Sequence, residues 1–276
     1  TMEEYAKAKA MLFPMCEKTA ANADDPWTET VMKDAPQPVY TFSAKSDSAS
    51  LTARDIRLAP SGVRFCALEE GELVRVKTNL PGQFSVYNAL AAISCARLLG
   101  VSLADAAAAL ETAHGAKGRV EPVPTDGDYS IFIDYAVTPD AIENVLTTLR
   151  GIAPKRLVML FGAGGDRDRK KRPIMGKLSA DIADFVIVTS DNPRTEDPMS
   201  IIEEILPGVR AGKAPYKVIC DRPEAIRWAI DHHEPGDVIL LCGKGHEDYQ
   251  IIGHEKIHMD EREIVADYLA ERAKRT

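Results

Sequence analysis

The sequence predicts a mixed α/β protein in two parts, the second built on a doubly wound, mostly parallel sheet. Three observations carry this. Five short apolar runs between residues 131 and 243 alternate with stretches of helical length, as expected of strands covered on both faces by crossover helices. Residues 38–80 instead break into short alternating segments punctuated by Gly and Pro, the pattern of antiparallel strands and turns. The length of 276 residues suits one large or two medium domains. With 45% hydrophobic and 28% charged residues the composition is ordinary for a globular protein and excludes a disordered or fibrous chain.

In chain order, residues 3–20 (EEYAKAKAMLFPMCEKTA) space their apolar positions three to four apart and predict a helix. It opens without an evident cap, and Thr1 stands where an initiator Met would. The chain is therefore expected to be a fragment lacking its amino-terminal part; the alternative is a residue left by recombinant expression. PVYTFSA, LTARDIRLAP, GVRFCAL and GELVRVKTN follow as expected antiparallel strands. FSVYNALAAISCARLLG (84–100) predicts a helix ending at Gly100, and SLADAAAALETAHG (102–115) one capped by Ser102. Pro122 and Pro124 stiffen an expected linker, which divides the chain into domains 1–120 and 121–276.

Beyond it, IFIDYA (131–136), RLVMLFGA (156–163), FVIVTS (185–190), YKVIC (216–220) and DVILLCG (237–243) are the expected strands. PDAIENVLTTLRGIA, KKRPIMGKLSADIA, PMSIIEEILPGVRAG and RPEAIRWAIDHH are the helices between them. YQIIGHEKIHM (249–259) predicts a terminal hairpin, and residues 260–275 a closing helix.

Several function classes fall away. A net charge of −8 argues against a general nucleic-acid binder. No apolar run approaches the roughly 20 residues of a membrane span, and the acidic opening is unlike a signal peptide. Five widely spaced cysteines (Cys16, Cys66, Cys95, Cys220, Cys242) without CxxC spacing fit reduced thiols in a cytoplasmic protein, not a disulfide framework or zinc site. His232-His233 at a helix end is a favourable charge–dipole placement. No GxSxG occurs, so acyl-enzyme chemistry has no support.

Ligands in such a sheet gather at the carboxyl ends of the strands, and the polar clusters lie there. Thr138-Pro139-Asp140, GGDRDRKKR, DNPRTEDP and GKGHEDYQ each follow a strand. GAGGDRDRKKRP (162–173) has Arg167 where a dinucleotide fingerprint needs its third glycine, and no GxxxxGK[ST] phosphate loop occurs. Its Arg167, Arg169, Lys170, Lys171 and Arg172 are either an anion site at a helix start or a solvated basic surface. In DNPRTEDP, Asn192-Pro193 fixes a turn, and Arg194 beyond it is either a fork for a carboxylate or half of a surface ion pair. The glycines of GKGHEDYQ allow close approach of a ligand to the backbone. Glu247 there is placed to accept from an ammonium group, and His246 is assigned no catalytic role.

Taken in order, LPGQFSVYNALAA, KGRVEPV, DYAVTPDAIENVL, GGDRDRKKRPIMG, TSDNPRTEDP and GKGHEDYQ resemble the carboxyl-terminal half of the Mur ligases. The nearest branch adds the third residue of the peptidoglycan stem peptide. TMEEYAKAKAMLF resembles the family's central domain past its middle. The resemblance implies part of a central ATPase domain (1–120) followed by a complete Rossmann-like amino-acid-binding domain (121–276), working in the cytoplasm. The family's phosphate loop, and the carbamylated lysine that helps hold Mg2+, would lie upstream, leaving no metal ligand in this stretch.

For ATP the resemblance implies Asn88 near the adenine, Arg119 at phosphate and ribose, and Asp134 at the ribose hydroxyls. Val137 stands where the family commonly has His, and Ser85 replaces a frequent Asn. For meso-2,6-diaminopimelate it implies Asp191, Asn192, Pro193 and Arg194 as the signature, with Arg167, Gly243 and Glu247 as further contacts. Arg194 would bind the distal carboxylate, supported by Asn192, while Glu247 and the Gly243 carbonyl hold the distal ammonium. The implied reaction is ATP-dependent amide formation. The D-glutamyl carboxylate of UDP-N-acetylmuramoyl-L-alanyl-D-glutamate becomes an acyl phosphate that the diaminopimelate amine attacks. No catalytic residue is assigned. The alternatives are a lysine-adding ligase of the same family and a non-catalytic ligase-like binding module.

Overall fold

The structure is a computed structural model that describes residues 1–275. It divides into two compact units, Thr1–His114 and the chain from Gly115 onward. The division falls before the Pro-rich stretch because residues 118–120 are already tied into the second unit. The Tyr135 amide donates to the Gly118 carbonyl at 2.9 Å, and the Val120 amide to Asp134 Oδ2 at 2.8 Å.

The first unit opens with α1 (Met2–Ala10), a 3₁₀ turn (Phe13–Met15), β1 (Ala20–Asn22), α2 (Thr28–Val31) and β2 (Tyr40–Ser43). It continues with β3 (Leu51–Ala59), β4 (Gly62–Glu69), β5 (Glu72–Thr78), α3 (Gln83–Leu98) and α4 (Leu103–Glu111). The helix expected over 3–20 is thus half as long. Pro14 has no N–H to donate and fits only the first turn of a helix, so the chain restarts there as a 3₁₀ turn. Nor is α1 uncapped: Thr1 Oγ1 accepts from the Glu4 amide, and the amino terminus donates to the Glu4 carboxylate, a capping box.

The sheet runs β1-β2-β3-β4-β5. Only β3–β4–β5 is antiparallel; β1–β2 and β2–β3 pair in parallel, against the expectation for residues 38–80. Alternating polarity reports that one face is buried and carries no information on strand direction. Phe42, Leu51, Val63, Phe65 and Val76 pack with Val86, Leu90 and Ile93 of α3 and Leu103 of α4.

The second unit contains β6 (Glu121–Val123), β7 (Tyr129–Asp134), α5 (Pro139–Arg150), β8 (Leu157–Phe161), α6 (Lys171–Ile182), β9 (Phe185–Val188) and α7 (Pro198–Ala211). Then come β10 (Tyr216–Val218), α8 (Arg222–Asp231), β11 (Asp237–Cys242), the hairpin β12 (Tyr249–Ile252) and β13 (Glu255–His258), and α9 (Glu261–Ala273). The main sheet has the order β10-β9-β8-β11-β7-β6, parallel except for β6. Pro122 therefore sits in an edge strand opposite Phe132 and not in a linker, one of the few sheet positions a residue without N–H tolerates.

Period-two alternation splits each strand between two cores. Phe132, Met159, Phe161, Val186 and Leu240 face α5, α6 and α7; Ile131, Ile133, Val158, Ile187, Ile239 and Leu241 face α8 and α9. All six residues of β11 are buried, as in a central strand covered on both sides. α5, α7 and α8 start on Thr138, Asp197 and Asp221, whose side chains accept from the third amide beyond, with Pro in the first turn. Among the described residues no helix is long and apolar enough to cross a membrane.

Candidate functional site

β9, β8, β11 and β7 are parallel neighbours, so the segments following them leave the same edge of the sheet. Those segments interlock. The Gly165 amide donates to the Asn192 carbonyl at 2.9 Å, joining the loop after β8 to the loop after β9. Asn192 Nδ2 donates to Glu247 Oε2 at 2.9 Å, joining it also to the loop after β11.

Asp191 is buried, and its Oδ1 accepts from the Asn192 amide at 2.7 Å. Its Oδ2 has no hydrogen-bond partner among the described residues. A Cβ on Gly243 would lie 2.7 Å from that oxygen, and Gly243 has φ +113°; both facts require glycine there. Pro193 is buried, and its carbonyl accepts from the Glu196 amide at 3.1 Å, closing the turn.

Arg194 follows in the left-handed region, φ +53°, which costs a non-glycine residue energy unless its surroundings hold it there. The hairpin does so. The Arg194 amide donates to the Ile251 carbonyl at 3.0 Å, and the Gly253 amide to the Arg194 carbonyl at 2.7 Å. Gln250 Nε2 donates to the Asp191 carbonyl at 2.6 Å, and the Ile251 amide to Asn192 Oδ1 at 2.9 Å. So aimed, Arg194 Nη1 donates to the Gly165 carbonyl at 2.7 Å beside Gly164. The exposed Arg167 also lies beside Gly164.

Glu247 ends the cluster. Burial alone would raise its pKa, but hydrogen bonds from Lys244 and Asn192 and the Lys244 charge outweigh burial and hold it below the usual carboxylate range. Oε2 takes both donors, while among the described residues Oε1 accepts only from the Tyr249 hydroxyl at 3.3 Å. Lys244 was not anticipated as a site residue: it is fully buried, between two glycines, and its sequence signal is the carboxylate three residues on.

The basic run after β8 is not one anion-binding surface. Arg172 is fully buried on Glu196, Glu204 and the Gly164 carbonyl, and Arg169 pairs with Glu204. Lys171 Nζ donates to the Val137 carbonyl at 2.8 Å, and burial lowers its pKa. Arg167 and Lys170 remain exposed.

Of the residues expected at a nucleotide, Asn88 lies on the exposed side of α3 in the first unit. Arg119 and Asp134 lie in the second. Arg119 is exposed, its guanidinium 5.7 Å from the Tyr135 ring centre. Asp134 is buried and accepts from the amides of Val120 and Ala136, both at 2.8 Å. It thereby holds Val120 at φ +42°, unusual for a β-branched residue. Burial raises the Asp134 pKa, against these bonds and the nearby Arg119. Among the described residues no three His, Cys, Asp or Glu side chains are grouped to hold a metal ion.

Residues 118–245 match the Mur ligase glutamate ligase domain, and residues 1–96 match the Mur ligase middle domain. The chain belongs to the Mur ligase family. It is 46% identical over 275 residues to the UDP-N-acetylmuramoyl-L-alanyl-D-glutamate--2,6-diaminopimelate ligase of Caldanaerobacter subterraneus subsp. tengcongensis, covering 99% of this chain and 57% of that protein. The enzyme of the same name from Trichormus variabilis is 45% identical over 280 residues, covering 99% of this chain and 56% of that protein. A solved structure of a ligase of this name matches with TM-score 0.79 and 34% identity, over 99% of this chain and 57% of that one. The chain thus spans a little over half the length of the relatives it matches.

Proposed function

We propose that this chain supplies the amino-acid-binding unit, and part of the ATP-binding unit, of a ligase joining meso-2,6-diaminopimelate to UDP-N-acetylmuramoyl-L-alanyl-D-glutamate. The observation that carries this is the interlocking of three loops. Asn192 bridges to Glu247, and the next-but-one residue, Arg194, presents its guanidinium beside Gly164. A fork-shaped cation and a carboxylate on one rigid frame suit an end group bearing both a carboxylate and an ammonium. Among the described residues, one of the five Arg194 N–H groups is taken by protein, by Gly165, which leaves donors for a bidentate grip.

Arg194 would hold the distal carboxylate, and Glu247 Oε1 with the Gly243 carbonyl the distal ammonium. Arg167 would add positive charge on the exposed side. The frame would thereby orient the free amine at the other end of the substrate for attack on the activated D-glutamyl carboxylate. ATP, when bound, would supply the phosphoryl group that activates it. Arg119, exposed, fits contact with phosphate and ribose. Asp134 fits less openly, because both oxygens already accept a backbone amide and only their remaining lone pairs could meet a ribose diol. Mg2+ is assigned no residue here.

L-Lysine lacks the distal carboxylate and would leave Arg194 without its anion. Charged hydrogen bonds contribute about 1.5–3 kcal/mol, so a preference of roughly 10- to 200-fold for diaminopimelate is expected. Calorimetric titration of the chain and of Arg194→Ala with both amino acids tests this. The wild type should favour diaminopimelate and the variant should bind both alike. Equal affinities in the wild type would refute the assignment.

A further inference from the structure

We propose that Lys244 is the positioning residue for the amine end of this site, fixing which oxygen of Glu247 meets the distal ammonium of the substrate. The inference rests on the reading that the site takes diaminopimelate, and it deepens that reading.

Lys244 is fully buried between Gly243 and Gly245. Its Nζ donates to Asn192 Oδ1 at 2.9 Å and to Glu247 Oε2 at 2.8 Å, and lies 5.2 Å from the centre of the Tyr249 ring. The three N–H directions of the ammonium thus all have an acceptor or a π-face.

A lysine ammonium can only donate, so the Asn192 amide must turn its oxygen toward Lys244. The Ile251 amide donates to the same oxygen, and Asn192 Nδ2 then necessarily faces Glu247. Asn192 and Lys244 together saturate Glu247 Oε2. Oε1, with one long bond from Tyr249, is the acceptor left for a ligand. Lys244 therefore sets the orientation of two residues of the site without touching the ligand itself. Without it Glu247 loses its ion-pair partner and its orientation, and the Asn192 amide loses one of the two donors that fix its sense.

A ligand-side deletion separates this role from general packing. 2-Aminopimelate keeps the distal carboxylate of diaminopimelate but lacks the distal amine. The chain and its Lys244→Met variant are titrated calorimetrically with both. Diaminopimelate is expected to bind the variant about 10-fold more weakly, while 2-aminopimelate changes by no more than about twofold. Glu247→Gln should show the same ligand-selective loss. Lys244→Gln, which removes the charge but keeps a donor, replaces Lys244→Met if circular dichroism shows the latter unfolded.

Equal losses for both ligands would reduce Lys244 to a packing role and overturn the proposal. Undiminished diaminopimelate binding in a folded variant, or a Glu247→Gln protein without the selective loss, would overturn it as well. If the folded wild type binds 2-aminopimelate but not diaminopimelate, or binds neither, the failure lies in the substrate reading, and the assignment falls with it.

Discussion

Arg172→Met tests how far the second unit depends on a single buried guanidinium. Arg172 donates to both oxygens of Glu196 at 2.8 and 2.9 Å, to Glu204 Oε2 at 2.7 Å and to the Gly164 carbonyl at 3.1 Å. Its Nε has no partner among the described residues. Methionine is close enough in volume to leave little cavity, so the loss is chiefly that of a partner for two carboxylates. Breaking a buried pair by removing one member costs about 3–5 kcal/mol. The Glu196 and Glu204 side chains keep 20% and 30% exposure, so water recovers part of that, and relief of the orphaned Nε recovers a little more. A net loss of about 2–3 kcal/mol follows, or a melting temperature lower by roughly 4–12 °C.

Acid sharpens the test. Hydrogen bonds from Arg172, outweighing burial and joined by the Asp166 amide, draw the Glu196 pKa from 4.5 down to about 2. A carboxylate depressed in the folded state stabilises fully above its unfolded pKa, and that contribution disappears as pH falls through its folded pKa. The gap in melting temperature between wild type and variant should therefore be widest at neutral pH and narrow between about pH 4.5 and 2. Melts followed by calorimetry across that range check it. A variant melting within about 1 °C of wild type at neutral pH, or a gap indifferent to acid, would refute the reasoning.

Two further outcomes follow from the fold. Thr138→Ala removes the acceptor for the Ala141 amide at the start of α5 and should cost about 1 kcal/mol in urea unfolding. Cys242 is fully buried, its S–H donates to the Ala136 carbonyl at 3.2 Å, and burial raises its pKa well above the usual thiol value. A thiol reagent mapped by mass spectrometry should modify the exposed Cys95 in the native protein and reach Cys242 only on unfolding.

The strands of the second unit are legible because β7, β8, β9 and β11 are apolar on both faces and α5, α7 and α8 between them carry caps, two signals that agree. A single signal is ambiguous. Apolar spacing alone runs the first helix past Pro14, whereas α1 stops at Ala10 and Pro14 belongs to a separate 3₁₀ turn. Thr1-x-x-Glu4 is itself a capping-box pattern. Pro122 reads as a linker residue unless the partner strand is known, since an edge strand and a stiff connector share that composition. In the site, Arg194 and Glu247 announced themselves as charges beside turn residues. Lys244 did not, because a lysine between glycines is ordinarily a solvated side chain. Arg169 and Arg172 looked alike in sequence, yet one is exposed and the other buried, a difference set by Glu196 and Glu204 some 24 to 35 positions away.

The backbone bridge between Arg194 and the β12–β13 hairpin means that the tetrapeptide Asp191-Asn192-Pro193-Arg194 is not portable on its own. Transplanting those residues into a relative would carry their chemistry but leave the fork unaimed unless the hairpin came with it. The side chains of β13 are exposed throughout, so its sequence is free to drift. The length of β12 and its turn is not, because an insertion between Ile251 and Gly253 would break the register that seats Arg194.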